Sequence, residues 1–115
     1  MDEYNNRIKI IRHRVKGGLY ARDLIAPAQQ VSKEENPVLW DFTEAMLVES
    51  DLKYGVFLKS ISESQGEAVA EIRRAFLVPD DRMRARLSQI LSEASPTWPW
   101  RIFVDESEAI AWLST

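Results

Sequence analysis

No cysteine occurs among the 115 residues. That excludes disulfides and thiolate metal sites, and nothing suggests an oxidising compartment. There is one histidine, His13. Metal centres of the usual kinds need more imidazole or thiolate ligands, so no metal is expected. Flanked by Arg12 and Arg14, His13 reads as a surface or rim residue of a strand. A catalytic triad would have to use this same histidine, and no Gly-x-Ser-x-Gly elbow accompanies it. Only four glycines are present. They form neither Gly-x-Gly-x-x-Gly nor a phosphate loop, so no nucleotide cofactor is implied. The apolar runs are far too short to span a membrane, and the start Met1-Asp2-Glu3-Tyr4-Asn5-Asn6 is too polar and acidic for a signal peptide. The expectation is a cytoplasmic protein without membrane insertion. The formal charge is −3 and no recognition motif is visible, which argues against nucleic-acid binding.

What is present is an ordinary globular balance, 45% hydrophobic and 29% charged, at a length typical of one domain. Residues 1–115 read as a single domain. Residues 7–15 form a first candidate strand, with Gly17-Gly18 as a turn. Residues 19–32 look helical, although Pro27 either starts or kinks that helix. Val38-Leu39-Trp40-Asp41 has the continuous apolar character of a buried central strand. Asp41 is expected at its carboxyl rim, where α/β folds usually place function. The connector 42–49 then leads to Ser50, a good N-cap. Leu52, Val56, Phe57 and Ile61 form the expected inner stripe of the next helix. Ala75-Phe76-Leu77-Val78 is another buried strand. Met83, Leu87, Ile90, Leu91 and Ala94 repeat at helical spacing behind Asp80-Asp81. Arg101-Ile102-Phe103-Val104 is the last strand, and Asp105 with Glu108 makes a capping-box pattern before a closing helix. The order β-α-β-α-β-α-β-α predicts an α/β fold, about four strands in a mixed or parallel sheet with helices packed on it.

Five arginines crowd residues 73–86: Arg73, Arg74, Arg82, Arg84 and Arg86. They are read either as an anion patch or as partners of neighbouring acids. Trp40 and Trp112 fall on apolar faces, whereas Trp98 and Trp100 either fold over the sheet end or mark an interface.

Three stretches carry a resemblance to a known family. They are Val38-Leu39-Trp40-Asp41-Phe42-Thr43, Ala75-Phe76-Leu77-Val78-Pro79-Asp80-Asp81, and Arg101-Ile102-Phe103-Val104-Asp105 with Glu108-Ala109-Ile110-Ala111-Trp112-Leu113. Together they resemble the SpoIIAA-like branch of the bacterial STAS-type domains, named for sulphate transporters and anti-sigma-factor antagonists. The resemblance implies a non-catalytic regulatory module that binds a protein partner. In the antagonists a switch serine opens the helix after the central strand, in the motif Asp-Ser-Ser-Gly-Leu. The matching stretch here is Glu49-Ser50-Asp51-Leu52-Lys53. Ser50 alone matches, and the switch position falls on Asp51. Asp41, Ser50 and Asp51 are therefore the partner or switch candidates. The resemblance also carries an alternative, a carrier or sensor of an apolar small molecule or lipid. Phe42, Met46, Leu47, Tyr54 and Phe57 would then line a cleft under a helix. Self-association into a homodimer is open on this reading.

Overall fold

A computed structural model describes residues 9–24, 36–65 and 71–115. The first residues of the expected first strand, most of the expected helix 19–32, Pro27 and Glu67 lie outside them.

Four strands form one sheet in the order β1-β2-β3-β4, all neighbours parallel. They are β1 (Ile11–Leu19), β2 (Val38–Leu47), β3 (Arg74–Leu77) and β4 (Trp100–Phe103). A short 3-10 turn, Ala21–Leu24, follows β1. The helices are α1 (Asp51–Gln65), α2 (Asp81–Ala94) and α3 (Glu106–Leu113). Sequential parallel strands joined by right-handed crossovers put their connecting helices on one face. The main core lies there, with Trp40, Phe42 and Phe76 of the sheet packed against Tyr54 and Leu58 of α1 and Leu87, Ile90 and Leu91 of α2. After β4, α3 turns back over the opposite face. Its Ala109 and Leu113 close a second cluster on Leu39, Ala75 and Leu77.

The helix ends follow their sequence signals. Asp80 accepts a hydrogen bond from the Met83 N–H at 2.9 Å, and Ser95 ends α2 in the left-handed region (φ 49°). The five buried residues of α2 are the five that its spacing predicts. Asp105 caps α3 by accepting from the N–H groups of Ser107 and Glu108. Trp40 and Trp98 are buried, and Trp98 covers the sheet end beside Phe76 (6.3 Å between rings). Trp112 is only partly buried and tilts on Phe103.

Three expectations need correction. Gly17-Gly18 is no turn: both glycines lie within β1, opposite Ala45 and Met46. Gly17 has φ +77°, open to glycine with little penalty. A β-carbon on Gly18 would sit 3.2 Å from Val48. Second, residues 42–47 are not a connector but the second half of β2. Third, only half of the expected α1 stripe faces inward: Phe57 and Ile61 border the core. Tyr54, Leu58 and Ser62 are buried, while Leu52 is 75% and Val56 57% exposed. Apolar residues surround this helix: Leu52 and Val56 form one i, i+4 pair, and Tyr54 and Leu58 another. Two residues turn a helix by about 200°, so the pairs lie on opposite sides and periodicity alone does not choose between them.

Candidate functional site

Two polar constellations adjoin β2, one on its α3 face and one at its carboxyl end. The first is built around Asp41. Between Arg14 and Lys16 of β1 stands one residue, but between their partners Asp41 and Glu44 stand two. The extra residue makes a bulge in β2 at Phe42-Thr43, and a bulge leaves a strand N–H without its ladder partner. Asp41 satisfies it: Oδ1 accepts from the Thr43 N–H at 3.0 Å and from Thr43 Oγ1–H at 2.6 Å. The other oxygen, Oδ2, accepts from Arg12 Nη2 (2.7 Å) and Nε (3.2 Å), with Arg14 Nε at 3.4 Å. Arg12 Nη2 also reaches Glu106 Oε1 at 2.8 Å, tying β1 to the start of α3. Burial by itself would raise the Asp41 carboxyl. Hydrogen bonds from Thr43 and Arg12 outweigh it and bring the pKa down to about 2. Glu106, and then Asp41, push the Arg12 guanidinium further above its ordinary value. Asp41 is buried and level with Leu77, the last residue of β3, while β1 and β2 run on as a two-stranded ribbon.

The second constellation closes the far end of that ribbon. The Tyr54 hydroxyl donates to the Leu19 carbonyl and accepts from the N–H groups of Val48 (2.8 Å) and Glu49 (3.0 Å). Glu49 accepts from the Ala21 N–H at 2.6 Å and pairs with Lys53 at 2.6 Å. Lys53, followed by the Ala21 N–H, lowers the Glu49 carboxyl. Arg86 reaches across from α2, donating to the carbonyls of Leu47 (3.2 Å) and Glu49 (2.9 Å) and to Asp51 Oδ1 (2.6 Å). Ser50, itself exposed, accepts from the Lys53 N–H at 3.3 Å, the N-cap contact.

Asp41 and Ser50 are not brought together. Asp41 faces α3, and roughly 20 Å of strand separates it from the end of β2. Ser50 and Asp51 are neighbours at one surface, where the charge of Asp51 is taken up by Arg86. The five residues named for a cleft are also dispersed. Phe42 and Tyr54 are core, Leu47 and Phe57 border the same core, and Met46 is 63% exposed. Between α1 and α2 runs an open groove of about 200 Å³, lined by Leu52, Gly55, Val56, Lys59, Glu93 and Ala94.

The arginine run is split among separate tasks. Arg74 is buried, with its guanidinium 4.4 Å over the Trp98 ring, and burial lowers its pKa to about 10. Arg73 donates to the Trp112 carbonyl at 2.6 Å. Arg84 pairs with Asp81 at 3.4 Å. The sequence reading missed the ties made by Tyr54 and Arg86, whose partners lie up to 39 residues away. Only the acid Asp51 and the arginine run 73–86 hinted at the second of these.

Among the described residues no group of three or more His, Asp or Glu side chains is placed to hold a metal ion, and no helix is long and apolar enough to cross a membrane. Comparisons with protein-family models, with curated proteins and with solved structures return no match for this chain.

Proposed function

We propose that this chain is a non-catalytic regulatory module of STAS/SpoIIAA-like type, which binds a protein partner through the surface at the start of α1. One observation carries the reading. The exposed cap Ser50 adjoins the apolar Leu52–Val56 stripe, and both stand on a backbone clamped by Tyr54 and Arg86. Exposed apolar residues gathered beside a polar group suit a protein contact. The clamp holds that surface in one geometry without a partner, so little ordering entropy is lost on docking. A phosphoryl group on Ser50 would meet the N-terminal end of α1, where the helix dipole favours negative charge. Asp51 does not replace it as a free charge, because Arg86 neutralises it.

Asp41 serves the fold in this reading. With both oxygens engaged and a pKa of about 2, it is poorly matched to acid–base catalysis near neutral pH. The carrier reading draws less support, since Phe42 and Tyr54 fill the core instead of facing a cleft.

The test is affinity capture with the tagged protein and its Ser50→Glu and Leu52→Glu variants, each checked for native circular dichroism. A stoichiometric partner whose recovery drops at least tenfold with either variant supports the proposal. Identical eluates from all three proteins would sink it, and a co-purifying lipid-like molecule would promote the carrier.

A further inference from the structure

β1 is an edge strand: among the described residues it pairs with β2 alone. In a parallel ladder only alternate residues turn their backbone groups toward a given neighbour. The Ile11 N–H bonds the Pro37 carbonyl at 2.9 Å, so Ile11, His13 and Val15 face β2. Arg12, Arg14 and Lys16 turn their N–H and C=O groups away from it, along the edge. The same alternation sorts the side chains. Arg12 and Arg14 lie on the α3 face, where they reach Asp41, and Lys16 follows them, exposed. On the other face His13 lies 5.0 Å from the Trp40 ring and Val15 packs on the core.

The charge along this edge is of one sign. From Lys9 to Arg22 the chain carries five cations and no carboxylate, in a protein of net charge −3. Arg12 is held by both Asp41 and Glu106 and Lys16 stands opposite Glu44, whereas Arg14 makes only the longer contact to Asp41, with its side chain 52% exposed.

We propose that the β1 edge receives an extended acidic segment of a partner protein, which adds to the sheet as a fifth strand. Its backbone would pair with the outward groups of Arg12, Arg14 and Lys16. Its carboxylates would stand beside Arg14 and Lys16, and its alternate apolar side chains beside Ile11, His13 and Val15. The fitting segment therefore alternates Glu or Asp with a β-branched apolar residue. A second copy of β1 is a poor occupant, because it would set the same cations against one another. The surface is distinct from the Ser50 end of α1, and the inference does not rest on the function proposed above.

The probe is a fluorescein-labelled seven-residue peptide alternating Glu and Val, Glu at both ends, with an isomer of the same composition that lacks the alternation. Binding to the full-length protein is read by fluorescence anisotropy, and exchange protection of the Arg12, Arg14 and Lys16 amides by NMR. The alternating peptide is expected to bind at least fivefold tighter than its isomer and to protect those three amides. Lys16→Glu, alone and with Arg14→Glu, should weaken binding, the pair by at least tenfold, whereas Arg84→Glu on α2 should not. Lys16→Glu changes one exposed side chain and keeps the test valid if the double variant fails to fold. No binding, equal binding of the isomer, or equal binding of a single-stranded oligonucleotide of the same charge without amide protection would overturn the proposal.

Discussion

Arg12 and Asp41 stand on adjacent strands, 29 residues apart, and two guanidinium nitrogens of the first share one carboxylate oxygen of the second. The carboxylate is buried and the guanidinium about one-third exposed. Removing one partner of such a pair leaves the other charge uncompensated, and here the bulge N–H of Thr43 also loses its acceptor. Asp41→Ala should cost about 2–4 kcal/mol in urea unfolding. Arg12→Met, which leaves Thr43 its acceptor, should cost less. Equal stability of wild type and Asp41→Ala would refute the clasp.

Acid should weaken the fold in two stages, read from unfolding free energies across pH. Burial lowers the His13 pKa below 6.5. The unfolded chain then takes up this proton first, so the His13 contribution is complete above pH 6.5 and declines below it. The Asp41 pKa falls from 3.8 to about 2. Its contribution is complete above pH 3.8 and is lost as pH drops towards 2. The Glu49 carboxyl, also lowered, adds to the loss in acid, so Asp41→Asn should shrink the lower stage and spare the upper, whereas His13→Phe should remove the upper and spare the lower.

The two stripes of α1 should respond differently to truncation. Leu58→Ala opens a hole in the main core and should cost about 2–5 kcal/mol. Leu52→Ser, on the exposed stripe, should stay within about 0.5 kcal/mol of wild type. A large loss with Leu52→Ser would mean that this side of α1 is covered in solution.

Tyr54→Phe keeps the ring in the core and removes only the hydroxyl that ties Leu19, Val48 and Glu49. Leaving those backbone groups short of a partner should cost about 1–3 kcal/mol. Faster amide exchange at Val48 and Glu49 than at the β3 amides would place the loss at the ribbon end, and unchanged exchange would contradict the tie.

Legibility in the sequence tracked how locally each feature is encoded. The stripe of α2 and the caps Asp80, Asp105 and Ser50 depend on residues a few positions apart, and they stand where the spacing puts them. Residues 38–41 are buried as a continuous apolar run should be. Turn signals fared worse: Gly17-Gly18 carries a loop's composition but serves inside a strand, because the ribbon needs a positive φ and a close approach to Val48. The candidate site was legible only in Ser50 and Asp51. Their clamp comes from Arg86 and Tyr54, whose roles depend on where α1 and α2 settle against the sheet.

The sequence alone determined that strands and helices alternate from β2 onward, which residues cap α2 and α3, and which face of α2 is buried. All of these are settled within a few turns of backbone or along one hydrophobic stripe. Tertiary structure decided which side of α1 faces inward, that Asp41, level with the carboxyl ends of β3 and β4, is a buried clasp, and that the arginine run divides among separate tasks. Asp41, Arg73 and Arg86 find their partners from 29 to 39 residues away. The burial that selects among such partners exists only once the sheet has assembled.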